Sequence, residues 1–177
     1  AARRAREAGY DGVDMHGCHS YLIGQFMSPG LNRRTDEFGG SFEGRMKFPL
    51  QIFRAIKEHA GSDFAVGIKI SAWEDLPGGI RPAEAARIAG RMADEGVCYV
   101  HVGTNNTTVE RLSPYPSVPS LYVPRNTLLP LAEEVKKALG DTPLMVSGSI
   151  VRPEEADAMI GEGKCDLVAL GRTLLAD

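Results

Sequence analysis

The stretch DMHGCHSYL, residues 14–22, gathers the side chains of this chain that are best suited to chemistry. Two histidines stand three residues apart, a cysteine lies between them, and a tyrosine follows two places after the second histidine. Such a set can bind a metal, form a cysteine nucleophile with a histidine base, or donate hydrogen bonds to a substrate. The nine residues alone leave the three alternatives open.

The remainder of the chain disfavours the metal and the nucleophile. A zinc site needs a third and a fourth ligand, but His59 in a predicted helix and His101 in a predicted strand make no convincing cluster with the pair. Cys18 has no orienting partner near it in sequence, which a catalytic cysteine requires.

In the third alternative, His16 and His19 donate hydrogen bonds to one oxygen of a small-molecule substrate. Tyr21 would supply a proton, because a phenol is protonated at neutral pH and can act as a general acid. A structural core histidine is an ordinary explanation for one imidazole, but it suits two imidazoles at a strand end less well.

Three similar segments show how the chain is organised. Residues 6–17, 93–103 and 161–172 each combine the end of an amphipathic helix, a glycine that stops it, and a short β-branched run. Two more apolar runs, residues 64–71 and 143–149, lie between these segments. We therefore expect five strands.

Helical segments separate the predicted strands. Apolar residues recur at the spacing of one helix face in residues 49–59, 82–95, 128–139 and 153–162. Pro82 and Pro153 stand where the first turn of a helix tolerates proline. Five strands that alternate with four helices require right-handed crossovers and a parallel sheet.

The length of the repeat favours a barrel over an open sheet. Each β/α unit takes about 38 residues, so eight units would need roughly 310, within the size range of (β/α)8 barrels. A doubly wound sheet more often carries a GxGxxG turn, and none is present. We therefore predict that residues 1–177 form one domain, the C-terminal portion of a (β/α)8 TIM barrel with about strands 4 to 8.

Two strand ends suggest a phosphate site. Barrels commonly bind phosphate in the loops after strands seven and eight, which here are SGSI, residues 147–150, and GRT, residues 171–173. Gly148 and Gly171 allow the backbone to approach an anion closely, and Arg172 offers a fork of donors. The alternative is that both glycines merely make tight turns.

Composition excludes several classes of function. The net charge is −3, lysine and arginine form no run longer than two, and no apolar stretch reaches membrane-spanning length. We therefore expect neither a nucleic-acid partner nor a membrane. The three cysteines are isolated, which suits a reducing, cytoplasmic location. The chain begins AARRAREAGY without an initiator methionine, so we expect a piece of a longer protein.

A family resemblance rests on residues 16–49, HGCHSYLIGQFMSPGLNRRTDEFGGSFEGRMKFP. This segment closely resembles the one after barrel strand four in old yellow enzyme relatives, the NADH:flavin oxidoreductases. The family includes ene-reductases, dienoyl-CoA reductases and trimethylamine dehydrogenase. The block NRRTDEFGGSFEGR is highly specific to it, and the resemblance continues through IKIS, SGSI and ALGRTLLAD to the end of the chain.

The resemblance implies FMN at the barrel mouth, reduced by NADH or NADPH. The N5 atom of the reduced flavin would pass hydride to the activated double bond of an enone- or enoyl-type substrate. His16 and His19 match the pair that grips the substrate oxygen, and Tyr21 matches the residue that protonates the carbon beside the carbonyl. The positions that match the FMN phosphate site are Ser147, Gly148, Ser149, Gly171 and Arg172.

Lys69 stands where the family usually has an arginine beneath the N1 and O2 edge of the flavin. A cation there stabilises the anionic reduced flavin, and lysine keeps the charge but lacks the planar fork of arginine. The alternative, from the residues alone, is a lysine whose ammonium pairs with a nearby carboxylate.

Other conspicuous residues have more ordinary interpretations. The charged residues Arg33, Arg34, Asp36, Glu37 and Arg45 are expected to pair with one another and order their loop. Residues 73–75 would form either the rim of the site or a solvated loop. Residues 104–124 form a long loop with four prolines, which we expect to be a substrate lid with Tyr115 and Tyr122 as contacts.

Three other functions stay open. Amine oxidation like that of trimethylamine dehydrogenase is the nearest, since residues 19–21 resemble that branch, although His16 fits the ene-reductases better. A phosphate-binding lyase or isomerase without flavin would need the same two loops, and a non-enzymatic scaffolding fragment is the third. Unpaired strand edges would favour association into homo-oligomers. The larger relatives carry an iron–sulfur segment and a second nucleotide domain after the barrel, and the sequence beyond Asp177 would show whether this protein has them.

Overall fold

The computed structural model describes residues 1–105, 113–116 and 123–175. The strands are β1 (Gly12–Gly17), β2 (Ala65–Glu74), β3 (Val100–Asn105), β4 (Leu144–Ser147) and β5 (Leu167–Ala169). The helices are α1 (Ala2–Glu7), α2 (Leu22–Met27), α3 (Phe42–Ala60), α4 (Pro82–Glu95), α5 (Leu129–Lys136) and α6 (Pro153–Gly161), and a 3-10 turn spans Arg172–Leu175. The five predicted strands are all present.

The five strands form one parallel sheet in the order β1-β2-β3-β4-β5. A doubly wound sheet reverses its strand order at a switch point, whereas a barrel winds in one direction. The uninterrupted order confirms the prediction of a parallel sheet wound as in a barrel. The carboxyl ends of all five strands consequently lie at one edge.

The two faces of the sheet have different surroundings. Along β2, Val66, Ile68 and Ile70 are fully buried in the core between the sheet and the helices. Because neighbouring side chains of a strand point to opposite faces, Lys69 lies on the other face, where it is half-buried. The apolar stripe of α4 completes the core with Ala85, Ile88, Ala89 and Met92. No helix in the described ranges is long and apolar enough to span a membrane.

Helix bounds agree with the sequence periodicity for α4 and differ for α3. Helix α4 covers residues 82–95 as predicted, with Pro82 in its first turn and a left-handed glycine after its end. Helix α3 begins at Phe42 instead of residue 49, and it contains Pro49. The earlier start has a local cause, because the side chain of Ser41 accepts a hydrogen bond from the Gly44 N–H at 3.1 Å.

Strand β2 continues through Trp73 and Glu74, so of the two alternatives for residues 73–75 the solvated loop is wrong for these two residues. Glu74 is 1% exposed. Its carboxylate accepts hydrogen bonds from the Ser28 hydroxyl and from the Ile80 N–H. These two donors compensate the cost of burying the carboxylate, which therefore serves the fold.

The ion pairs predicted among the charged residues at 33–37 and Arg45 are only partly present. Arg34 and Asp36 form an ion pair, as expected. Arg45 instead pairs with Glu84 of α4, and it donates to the backbone carbonyls of Met27 at the end of α2 and of Gly40 just before α3. From the first turn of α3 its guanidinium therefore meets backbone oxygens of α2 and of the preceding loop on one side and a carboxylate of α4 on the other.

Gly67 in β2 lies directly beneath the ring of Tyr99, whose hydroxyl donates to Asp14 Oδ2 at 2.8 Å. A Cβ atom at residue 67 would be 2.2 Å from the Tyr99 ring. We therefore expect Gly67→Ala to lower the free energy of unfolding by about 1–3 kcal/mol, as overpacked cores do. Urea denaturation of the natural protein that carries this sequence measures the change.

Gly161→Ala is the matched control for this variant. Gly161 ends α6, and a Cβ atom there would meet nothing within 4 Å. Equal stability of the two variants would contradict the close contact between Gly67 and Tyr99.

Candidate site at the carboxyl ends of the strands

A tight turn after β1 brings the two predicted histidines together. His16 lies near the end of β1 on the face opposite the helices, and its side chain is exposed. His19 and Ser20 both have φ of 56°, a left-handed conformation that is uncommon for residues other than glycine. The turn places His19 Nδ1 3.3 Å from His16 Nε2. Such conformations often occur at functional sites, where the surrounding structure maintains them.

Tyr21 completes this group at the first residue before α2. Its ring centroid is 5.2 Å from that of His16, and the residue is 61% exposed. The Tyr21 N–H donates to the Cys18 carbonyl at 3.2 Å, which closes the turn. We call His16, His19 and Tyr21 the His–Tyr cluster.

The thiol of Cys18 lacks the environment of a nucleophile. It is fully buried, with the Ser71 hydroxyl 3.3 Å away and the Thr104 carbonyl 3.5 Å away. Burial raises the pKa of the Cys18 thiol, whereas catalytic cysteines need a lowered pKa. Among the residues that the structure describes, no group of three histidine, cysteine or acidic side chains could hold a metal ion.

Lys69 lies beside the His–Tyr cluster on the same face of the sheet. Lys69 is the register partner of His16 on one side and of His101 on the other. In the described ranges no carboxylate lies within 4.0 Å of its ammonium, so the ion pair considered as an alternative is not seen there. Its charge can therefore act on a ligand at this face.

His101 also lies in the candidate site, although from the sequence it was considered only as a metal ligand. Its side chain is 8% exposed, and Nε2 lies 2.9 Å from the Ser147 hydroxyl. Burial, followed by the nearby charges of Lys69, His19 and His16, lowers the pKa of His101 to about 3, so the imidazole is neutral at pH 7. The alternation in YVHVG could have indicated its face, since His101 stands between two valines that point into the core.

The two loops predicted to bind phosphate lie against each other. The last register pair of strands β4 and β5 is Ser147 with Ala169, so the loops that follow the two strands begin side by side. In residues 147–150, which we call the phosphate turn, Gly148 has φ of 114° and Ser149 has φ of 55°. The Thr173 hydroxyl donates to the Ile150 carbonyl at 2.8 Å and links the loops. Turns of this kind present backbone N–H groups that can bind an anion.

The other predicted site residues lie at the same edge or near it. Gly171 and Arg172 are exposed, and Arg172 opens the 3-10 turn that follows β5. The Tyr115 ring centroid is 5.0 Å from that of Trp73, which places Tyr115 at the carboxyl end of β2. Tyr122 lies outside the described residues, and so does most of the predicted lid.

Sequence comparison identifies the family. The NADH:flavin oxidoreductase / NADH oxidase family matches residues 1–177. The "NADH oxidase" of Thermoanaerobacter brockii is 44% identical over 181 residues, which cover all of this chain and 26% of that protein. The chain spans about a quarter of the length of the first curated relatives that it matches.

Solved structures agree with this assignment. Histamine dehydrogenase from Rhizobium sp. 4-9 superposes with a TM-score of 0.86 at 26% identity, covering 99% of this chain and 25% of that one. Morphinone reductase in complex with tetrahydroNAD superposes with a TM-score of 0.71 at 30% identity, covering 97% and 42%. The five-stranded sheet is thus a portion of a (β/α)8 barrel, as predicted, and the chain belongs to the NADH:flavin oxidoreductase / NADH oxidase family.

Proposed function

We propose that the protein binds FMN at the carboxyl edge of this sheet and reduces an activated carbon–carbon double bond, with NADH or NADPH as the electron source. One observation carries the proposal. The His–Tyr cluster, Lys69 and the phosphate turn lie at the same end of the sheet, as a site for a flavin and its substrate requires.

The residues fit FMN. The phosphate turn and the adjoining Gly171 and Arg172 would hold the phosphate, and Lys69 would face the electron-rich edge of the ring system. The Ser147 hydroxyl contacts His101, so Ser147 would contribute its backbone to the phosphate site. When bound, FMN supplies the two-electron chemistry that side chains lack.

The His–Tyr cluster would act on the substrate. His16 Nε2 and His19 Nδ1 are 3.3 Å apart, within hydrogen-bond distance of each other, and a carbonyl oxygen that replaced this contact could accept from both nitrogens. Hydrogen bonds from them would stabilise the negative charge that develops on this oxygen when the double bond is reduced. Tyr21, 5.2 Å from the His16 ring, would protonate the carbon beside the carbonyl.

The test is the visible absorption spectrum of the natural full-length protein that carries this sequence, recorded before and after anaerobic addition of NADH or NADPH. We expect the yellow absorption of oxidised flavin, bleaching on reduction, and its return when an enone is added. A colourless protein that also fails to take up FMN would overturn the proposal and favour a phosphate-binding lyase or isomerase.

Amine oxidation is the second candidate. Its support is the superposition with histamine dehydrogenase, a relative whose name indicates an amine substrate. Anaerobic mixing with histamine or trimethylamine separates the candidates. Bleaching of the flavin by an amine, without reoxidation by an enone, would assign the protein to amine oxidation.

A further inference from the structure

We infer that His101 is a positioning residue for the cofactor phosphate: it holds Ser147, and through Ser147 it holds the phosphate turn. The inference rests on the proposed function, since it assumes that FMN binds at this turn. It extends that function to a residue on β3 that would not itself contact the cofactor.

The first argument is the place of the His101–Ser147 hydrogen bond. The register between β3 and β4 ends at Val102 and Val146. The 2.9 Å contact of His101 Nε2 with the Ser147 hydroxyl connects the two strands one residue further, directly before Gly148. His101 is buried, so water does not readily replace it as a partner.

The second argument is the conformation of the phosphate turn. Ser149 has φ of 55°, which costs free energy for a residue other than glycine and persists only where neighbours maintain it. A hydrogen bond holds the turn at each end: His101 contacts Ser147 at its first residue, and Thr173 donates to Ile150 at its last. The loss of one of these hydrogen bonds should therefore make the turn more mobile and weaken the hold of its backbone N–H groups on the phosphate.

The third argument concerns the charge around His101. The titratable groups that face it are His16 and His19 from the β1 side and Lys69 from β2. The residues of β4 beside it, Met145 and Ser147, do not titrate in the physiological range. Burial and the positive charge beside it keep the imidazole of His101 neutral. His101 therefore acts as a hydrogen-bond partner, and Lys69 supplies the positive charge at the site.

The experiment compares FMN with riboflavin, which lacks the phosphate. Dissociation constants are measured for the apoprotein of the natural full-length protein and for its His101→Leu, Ser147→Ala and double variants. We expect each single variant to bind FMN about 2- to 12-fold more weakly, the range of one net hydrogen bond. The double variant should be no weaker than the weaker single variant, and riboflavin affinity should be unchanged in all three.

A conservative variant separates positioning from general structural damage. The amide of glutamine reaches about as far as the Nε2 atom of histidine, so His101→Gln should restore FMN affinity close to that of the wild type. Equal weakening of FMN and riboflavin, or additive effects in the double variant, would overturn the inference. If His101→Leu does not fold, Ser147→Ala still decides, through its ratio of FMN to riboflavin affinity.

The same measurement keeps the two proposals apart. A wild-type apoprotein that binds neither flavin refutes the proposed function and the inference with it. A wild-type apoprotein that binds FMN, with unchanged FMN affinity in His101→Leu and Ser147→Ala, refutes the inference and leaves the proposed function standing.

Discussion

Tyr21→Phe is expected to slow the reduction of an activated alkene about 10²- to 10⁴-fold, the usual contribution of a general acid. The phenylalanine ring keeps the contact with His16, whose ring centroid is 5.2 Å away, but it has no proton to give. Reduction of the bound flavin by NADH should stay near the wild-type rate, because this half of the reaction needs no proton from Tyr21. Anaerobic stopped-flow absorbance measures the two half-reactions separately.

Tyr10→Phe is the matched control, since Tyr10 is 68% exposed and lies before β1, away from the carboxyl edge. It should leave both half-reactions unchanged. If Tyr21→Phe reduces the alkene as fast as the wild type, the proton comes from another donor, and the assignment of Tyr21 fails.

The second large effect is expected from His16→Ala and His19→Ala. Removal of a hydrogen-bond donor from a site that stabilises a developing negative charge typically slows a reaction about 10²- to 10³-fold. Each variant should reduce an enone more slowly by that factor. Each should also lose the charge-transfer absorption that phenols produce with oxidised flavin, because a phenolate oxygen would bind to the same two imidazoles. Titration with a phenol measures this directly, without turnover.

His59→Ala serves as the control for both histidine variants. His59 is exposed near the end of α3, and its Nδ1 lies 2.8 Å from the Ala55 carbonyl. Its phenol titration should match that of the wild type. An undiminished charge-transfer band in His16→Ala and His19→Ala would remove the two histidines from the substrate site.

Local patterns in the sequence were sufficient for the elements that depend on neighbouring residues. Helix α4 has the predicted bounds because Pro82, the apolar stripe and the left-handed Gly96 all act within the helix or next to it. The His–Tyr cluster could also be anticipated, since its three residues lie within one turn of chain after β1. The strand order followed from the regular alternation of strands and helices.

Contacts between distant residues required the tertiary structure. Glu74 is part of β2 because Ser28 and the Ile80 N–H satisfy its buried carboxylate, and neither partner is recognisable from the sequence around residue 74. Arg45 pairs with Glu84 for a similar reason, since only the packing of α3 near α4 brings them together.

In the candidate site, too, some features followed from the sequence and others only from the tertiary structure. The types and spacing of His16, His19 and Tyr21 identified them from the sequence as candidates for chemistry, and the rest of the chain favoured contact with a substrate. The place of Lys69 between His16 and His101 depends on the register of three strands. The bond from His101 to Ser147 joins residues 46 positions apart. The sequence by itself therefore determined which residues could do chemistry, and the tertiary structure decided which of them meet, because strand register and burial are properties of the assembled sheet.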